Sequence, residues 1–180
     1  STGTTLTLGT SGDTIAIPSG VTIANSGTAT GFGGANTPAF MATASAQLTL
    51  TNGASTKVQF NTEVVDTDSD YDTSNYRFTP TTAGKYNVSF SASMETTGGV
   101  GTANYAFFKL HKNGSVIHQS YTDSSNNNTY AFGGGVTAIV DMNGSSDYLE
   151  AFVTATASSG AMKVQNTTYT MFSAFKLIGV

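Results

Sequence analysis

From Gly84 to Glu95 the chain reads Gly-Lys-Tyr-Asn-Val-Ser-Phe-Ser-Ala-Ser-Met-Glu, with an apolar residue at every second position from the tyrosine onward. Successive side chains of a β-strand point to opposite sides of its sheet, so this alternation predicts a strand with one apolar and one polar face. The apolar face carries Tyr86, Val88, Phe90, Ala92 and Met94. The stretch therefore predicts a long strand that lays one face against a hydrophobic core.

The chain from Pro38 onward is β in pattern throughout. Short apolar runs alternate with clusters of turn residues, and no segment of about ten residues shows the 3.6-residue period of a helix. We expect about eight to ten short strands, separated by turns. This arrangement is typical of a sandwich or jelly roll, so the predicted fold class is an all-β jelly-roll β-sandwich.

Three glycine-containing segments predict how the strands are connected. Asn113-Gly114 lies between two apolar runs and predicts a type I′ hairpin, because that turn needs two residues at positive φ. Asn143-Gly144 separates the strands predicted at 132–142 and 147–156 and predicts a second hairpin. Gly133-Gly134-Gly135 comes before a strand and not after one, so it predicts a tight bend and not a phosphate-binding loop.

The last predicted strand, residues 170–179, is apolar on both faces. Its two faces hold Phe172, Ala174 and Ile178 on one side and Met171, Phe175 and Leu177 on the other. A strand that is apolar on both faces is buried on both. Since a two-layer sandwich covers only one face of each sheet, the other face requires a further partner, and a neighbouring subunit supplies one.

The composition excludes several classes of function. Only 10% of the 180 residues are charged, which leaves little material for acid–base catalysis. The net charge is −4 and the seven basic residues are scattered, so we expect no nucleic-acid binding. No apolar run approaches the length of a membrane span, and we expect no membrane insertion. The absence of cysteine excludes disulfides and mildly favours a microbial or viral source.

Residues 1–31 differ from the rest, because they contain no aromatic residue and only one charged residue, Asp13. Apolar pairs with a period of two predict short strands at Leu6/Leu8, Ile15/Ile17 and Val21/Ile23. So few apolar side chains cannot form a core in one chain, but stacked or intertwined copies can. We interpret residues 1–31 as a β-rich stem, 32–37 as a Gly-rich joint and 38–180 as a jelly-roll head. A flexible leader is the alternative for the stem.

A series of short motifs runs through the head. In chain order they are Pro38-Ala39-Phe40-Met41-Ala42, Val58-Gln59-Phe60-Asn61, Tyr71-Asp72, Phe78-Thr79-Pro80, Ala83-Gly84-Lys85-Tyr86, Lys112-Asn113-Gly114, Ser146-Asp147-Tyr148 and Phe172-Ser173-Ala174-Phe175. In this order and at this spacing they resemble the globular head of complement component one q and its tumour-necrosis-factor-like relatives. The resemblance implies a jelly-roll sandwich that assembles as a homotrimer. It also implies a binding or structural module and not an enzyme.

The resemblance further implies where the subunits meet. In that family the last motif lies on the inner sheet near the three-fold axis, and this chain has Ala174 where the family has glycine. We assign the trimer interface and core to Phe40, Tyr86, Phe90, Phe172 and Phe175. The resemblance does not identify a ligand, and we expect no cofactor.

One polar loop flanked by aromatic residues is the candidate ligand site. Its residues are Tyr121, Asp123, Asn126, Asn127, Asn128 and Tyr130. Amide groups can hydrogen-bond a sugar, and tyrosine offers a large contact area at a small cost in conformational entropy. An ordinary loop tip is the alternative.

Two further groups of residues are weak candidates for metal-binding sites. Asp66, Asp68 and Asp70 alternate and could ligate Ca²⁺, but the EF-hand pattern fails, and carboxylates that cap turns are the favoured alternative. His111 and His118 flank the Asn113-Gly114 turn and could face each other across the hairpin. No third zinc ligand is evident, so we expect no metal at either place.

These observations predict a non-enzymatic, trimeric virion protein. The segment from Gly12 to Ile23 is similar to repeats of bacteriophage fibres, and the composition suits an extracellular β-protein. We expect a fibre tip whose head binds a host-surface glycan or protein and whose stem contacts other virion proteins. The alternatives are a capsid decoration or head fibre, and a secreted or cell-surface lectin-like adhesion module of a bacterium.

Overall fold

A computed structural model describes residues 9, 11–22, 24, 36–99, 101–124 and 129–178, which divide between two units, Ser1–Gly33 and Gly34–Val180. In the first unit the described residues form no strand and all are exposed, including Ile15, Ile17 and Val21. The strand predicted at Ile15 and Ile17 is therefore absent from the single chain. Leu6, Leu8 and Ile23 lie outside the described residues, and a stem built from several copies stays a prediction.

The described part of the second unit is a two-layer antiparallel β-sandwich, which confirms the predicted fold class. Its strands are β1 (Ala39–Thr43), β2 (Leu48–Thr49), β3 (Thr56–Lys57), β4 (Thr62–Asp66), β5 (Tyr71–Asp72), β6 (Arg77–Phe78), β7 (Gly84–Thr96), β8 (Thr102–Lys112), β9 (Ser115–Asp123), β10 (Ala131–Met142), β11 (Leu149–Ser159), β12 (Met162–Val164) and β13 (Met171–Lys176). Two short 3₁₀ turns, Thr97–Gly99 and Thr167–Tyr169, connect strands. Several strands have only two residues, so the total exceeds the number that sequence patterns predict.

The thirteen strands form two sheets. The seven-stranded sheet has the order β2-β12-β7-β13-β1-β4, and β10 also pairs with β7. The six-stranded sheet has the order β5-β6-β11-β8-β9, and β3 also pairs with β11. Every pairing is antiparallel, and most neighbours in the sheets are far apart in sequence.

Strand β7 has the alternation that the sequence predicts. Its inward side chains are buried, namely Tyr86, Val88, Phe90, Ala92 and Met94. The strand pairs with β10 along one edge and with β12 and β13 along the other. Its register therefore positions much of the seven-stranded sheet.

A cluster of aromatic rings joins the two sheets. Phe40 of β1 stacks on Phe78 of the opposite sheet, with ring centroids 4.3 Å apart. Phe172 of β13 meets the edge of the Phe40 ring at 5.0 Å. Phe90 of β7 reaches Phe108 of β8 at 6.3 Å. Since aromatic side chains remove large areas from water, these rings supply a large part of the hydrophobic stabilisation.

The first predicted hairpin is confirmed and the second is wrong. Asn113 and Gly114 both have positive φ, at 52° and 80°, and connect β8 to β9. The turn at Asn143-Gly144 instead carries the chain between layers, because β10 pairs with β7 and β11 pairs with β8 in the other sheet. Turn residues predict where a strand ends. Which strand the following segment pairs with depends on residues that are distant in sequence.

The bend predicted at the three glycines is also wrong, because Gly133, Gly134 and Gly135 lie inside the continuous strand β10. A Cβ added to Gly134 would lie 2.4 Å from a ring carbon of Phe108, and one on Gly135 would lie 2.2 Å from the carbonyl oxygen of Phe90. Glycine at these positions therefore lets the backbone of β10 come close to the Phe108 ring in the core and to the backbone of β7.

An ion cluster links the short strands β3 and β6 to β11 within the six-stranded sheet. Glu150 of β11 is only 4% exposed. Its Oε1 accepts hydrogen bonds from Lys57 Nζ of β3 at 2.7 Å and from Arg77 Nη2 of β6 at 2.9 Å. Burial acts to raise the pKa of Glu150, but these hydrogen bonds outweigh burial and hold the pKa below its ordinary value.

Phe172→Ala tests the aromatic core. Phe172 is fully buried, so its truncation should lower the free energy of unfolding by about 3–5 kcal/mol. Chemical denaturation at a fixed protein concentration measures the loss. Val116→Ala is the control, because Val116 is 47% exposed and its truncation should cost less than about 0.5 kcal/mol. Equal stability of the Phe172 variant and the native chain would contradict the placement of β13.

Glu150→Gln tests the ion cluster through its pH dependence. The pKa of Glu150 is lower in the folded state, so its ionised form stabilises the fold fully above the ordinary pKa of 4.5. That contribution is lost as the pH falls through the lower, folded-state pKa. Denaturation should show the variant less stable than the native chain by about 1–3 kcal/mol at neutral pH, with a smaller gap well below the ordinary pKa.

Glu63→Gln is the control for removing one carboxylate, because Glu63 lies at an exposed position of β4. A stability gap for Glu150→Gln that stays constant from neutral to acidic pH would contradict the role assigned to the cluster.

Candidate functional site

The outward face of the seven-stranded sheet carries exposed apolar side chains, and we call it the open face. The register places its residues in three rows: Ile139–Asn87–Phe175–Ala39, Thr137–Ser89–Ser173–Met41–Val65 and Gly135–Ser91–Met171–Thr43–Thr62. Ile139 is 62% exposed, Val65 46% and Phe175 38%. Single exposed apolar residues are ordinary, but several on one sheet face indicate a surface that a partner covers.

The middle of the open face is made of small side chains. Ser89 Oγ and Thr137 Oγ1 lie 3.2 Å apart, and Ser91, Ser173 and Gly135 surround them in the register. Charged side chains lie toward both ends of β7: Lys85 Nζ contacts Asp141 Oδ1 at 2.7 Å at one end, and Glu95 lies opposite Lys163 in the register at the other. A flat, uncharged centre lets another backbone approach closely.

A hollow of about 310 Å³ lies on the same face, between β1, β13 and the second 3₁₀ turn. It is lined by Met41, Thr43, Thr168 and Met171. Methionine is flexible and adapts to irregular surfaces. The hollow therefore suits an apolar side chain from outside the chain better than a polar small molecule.

The structure places the predicted interface and core residues in two different environments. Phe40, Tyr86, Phe90 and Phe172 are at most 2% exposed and lie in the interior of the single chain. Only Phe175 lies on the open face. β13 is shorter than the predicted strand, at Met171–Lys176, and Ile178 lies beyond its end and is 53% exposed.

Sequence reasoning did not assign Met41, Val65 and Ile139 to this surface. The available signal was an apolar residue at an outward position of an alternating strand. Which positions point outward can be decided only when the partner strands are known.

The predicted ligand loop is only partly described, because Asn126, Asn127 and Asn128 lie outside the described residues. Tyr121 and Tyr130 are 52% and 51% exposed. The structure brings Tyr121 and Asp123 together, since the tyrosine hydroxyl donates to Asp123 Oδ2 at 3.0 Å. That hydrogen bond raises the pKa of Tyr121. Tyr121 also contacts Tyr105 and Phe107 of β8, which the sequence did not suggest.

The aspartates considered for calcium are engaged with their own loop. Asp66 accepts backbone N–H groups of Asp70 at 3.2 Å and Tyr71 at 2.8 Å. Asp70 is 6% exposed and accepts the N–H of Thr81, while burial raises its pKa. Within the described ranges, no three His, Cys, Asp or Glu side chains are placed to hold a metal ion. These contacts favour the alternative in which the carboxylates cap turns.

The prediction that His111 and His118 face each other is wrong. A register shift between Leu110 and His111 places His118 opposite Leu110, whose side chain points into the core. His111 points to the other face, where its ring stacks on Phe152 with centroids 4.1 Å apart. Burial holds the pKa of His111 below its ordinary value.

Across the described part of the chain, no helix is long and apolar enough to cross a membrane.

Comparison with solved structures supports the fold. The globular domain of a zebrafish complement 1qA protein is 15% identical, with 78% of this chain and 98% of that chain covered and a TM-score of 0.54. The Eiger TNF of S. frugiperda is 11% identical, with coverage of 77% and 91% and a TM-score of 0.56. Murine APRIL is 10% identical, with coverage of 77% and 98% and a TM-score of 0.55. At these identities the similarity shows the fold alone.

Comparison of sequences identifies the family. A search of curated protein sequences found no match. The C1q domain family, however, matches residues 39–177, which span nearly the whole described sandwich. The all-β architecture with two antiparallel sheets agrees with that match. The chain therefore belongs to the C1q domain family.

Proposed function

We propose that this chain is a homotrimeric, non-enzymatic virion protein, the tip of a bacteriophage fibre whose C1q-type head binds a host-surface ligand. C1q-type domains are typically structural or ligand-binding modules, often trimeric and extracellular. The observation that carries the assembly in this proposal is the open face, which one chain leaves uncovered and which a neighbouring copy would bury. The resemblance of the last motif to the family pattern near a three-fold axis supports the same arrangement.

The chemistry of the open face suits contact between identical chains. Ile139 and Phe175 provide apolar contact area at one end of the face, and the small Ser89 and Ser91 allow close approach in the middle. Charges are depleted at the centre of protein interfaces, and the middle of this face is uncharged. The hollow between Met41 and Met171 would accept a side chain of the neighbouring copy.

The virion context is supported by composition and by the N-terminal unit. Few charges, no cysteine and many small polar residues suit a stable extracellular β-protein. Ile15, Ile17 and Val21 are exposed in the single chain, so stacking or intertwining of copies would bury them. Such a stem would attach the head to other virion proteins. A capsid decoration or a bacterial lectin-like adhesion module would use the same architecture. The location of the chain on the particle would distinguish these alternatives from a fibre tip.

Antibody labelling of virions that carry this gene tests the location. An antibody against residues 36–178 should label fibre tips in electron micrographs. Label spread over the capsid surface would support a decoration protein instead. Label confined to bacterial cell surfaces or culture medium would contradict a virion role.

Ile139→Glu and Phe175→Glu test the assembly. Sedimentation of the native protein should give three times the chain mass of 18.5 kDa. Both side chains are exposed in one chain, so each variant should fold but lose trimer, because an unpaired carboxylate would be buried in the contact. Val116→Glu, at an exposed position of the six-stranded sheet, should stay trimeric. A native monomer at micromolar concentration, or trimers unaffected by both changes, would contradict the proposal.

A further inference from the structure

The outward face of the β8–β9 hairpin, on the six-stranded sheet, carries an ordered group of side chains. The register places three outward pairs in succession: Tyr105 with Asp123, Phe107 with Tyr121, and Lys109 with Gln119. The alternate residues of β8 point into the core, where Ala106, Phe108 and Leu110 are fully buried. The outward pairs therefore lie on the side of the sheet that faces away from the core.

Three rings of this group touch one another, and we call Tyr105, Phe107 and Tyr121 the aromatic platform. The centroids of Phe107 and Tyr121 lie 4.9 Å apart, those of Tyr105 and Phe107 5.8 Å, and those of Tyr105 and Tyr121 6.0 Å. Tyr121 is 52% exposed, and the other two rings are half-buried. The platform thus presents ring surface to solvent from β8 and its antiparallel neighbour β9, which is the edge strand of the sheet.

Polar groups border the platform at both ends. At one end Asp123 accepts the hydroxyl of Tyr121 at 3.0 Å. At the other end Lys109 Nζ donates to Thr154 Oγ1 at 2.9 Å and lies 5.6 Å from the Phe107 ring centroid, with Gln119 opposite it in the register. Because a strand advances about 3.4 Å per residue, the three pairs span roughly 14 Å from Asp123 to Gln119.

We propose that the aromatic platform binds a saccharide, a pyranoside that lays the C–H face of a sugar ring on Tyr121 and Phe107. The π face of an aromatic ring is negative, and it attracts the weakly positive C–H groups of a pyranose. The sugar hydroxyls would then meet the carboxylate of Asp123 and the amide of Gln119 at the edges. This inference deepens the proposed function, because it takes the chain as a ligand-binding module and assigns the chemistry and place of the ligand.

The platform fits a saccharide better than a macromolecular partner. A stable protein interface buries about 800 Å² on each partner and has a centre depleted of charge, whereas here a carboxylate and an ammonium lie next to three rings. Single-stranded nucleic acid would also stack on rings, but Asp123 and a net charge of −4 would repel its phosphates. A compact, mixed surface of this kind suits a small, uncharged, amphipathic ring.

The platform and the open face lie on different sheets, so burial of the open face does not by itself cover the platform. Three copies would then present three sites. Each site can bind weakly, because simultaneous contacts on one surface multiply the overall affinity.

Titration of the full chain with lactose, cellobiose and N,N′-diacetylchitobiose tests the inference. Binding is followed by the NMR signals of the Tyr and Phe rings. At least one of the three sugars should shift the Tyr105, Phe107 and Tyr121 signals with a millimolar dissociation constant. Tyr121→Ala should weaken that binding by about tenfold, whereas Tyr121→Phe, which keeps the ring, should weaken it much less.

Val116→Ala is the matched control, because Val116 is 47% exposed on the same strand, β9, and lies outside the platform. It should bind as the native chain does. Absence of binding for all three sugars would overturn the inference, as would loss of binding in Val116→Ala but not in Tyr121→Ala.

Sedimentation of the same samples separates this inference from the proposed assembly. A trimer that binds none of the sugars would overturn the saccharide site and leave the assembly standing. A monomer whose sugar binding depends on Tyr121 would overturn the assembly and support the site.

Discussion

Strand β7 connects the interior of the sandwich to its outer surface. Its backbone hydrogen-bonds to β10 along one edge and to β12 and β13 along the other. Its inward residues, such as Tyr86 and Phe90, form part of the core, and its outward serines form the centre of the open face. A slip of one residue in its register would exchange the two sets, so the core and the proposed assembly surface depend on the same constraint.

Local patterns in the sequence predict the parts of this fold that are local. The alternation of β7 and the Asn113-Gly114 hairpin follow from side-chain period and turn chemistry, and both are present. The second hairpin and the glycine bend are wrong because each depends on a partner distant in sequence. Gly134 is close to the Phe108 ring, and nothing in the neighbouring residues indicates that contact.

The candidate surfaces were less predictable than the fold. The sequence places Tyr121 and Asp123 in a loop, but both lie in β9, and their partners Tyr105 and Phe107 lie on the facing strand β8. In β8 the outward and inward sets both contain aromatic residues, so alternation alone does not tell which set is exposed. In β13, the buried Phe172 of the core and the exposed Phe175 of the open face belong to the same short apolar motif. Which of the two residues is buried follows only from how the strands pair in the two sheets.

The two sheets thus have different outer surfaces, and we propose contact between copies for one and ligand binding for the other. Oxidation of methionine in the intact protein, read by mass spectrometry, tests most directly whether assembly covers the open face. The chain has five methionines, and Met94, Met142 and Met162 are buried in the single chain while Met41 and Met171 are partly exposed on the open face. The account predicts that all five are protected in the native assembly and that Met41 and Met171 become reactive when it dissociates. Rapid oxidation of Met41 and Met171 in the native protein, with the other three protected, would contradict it.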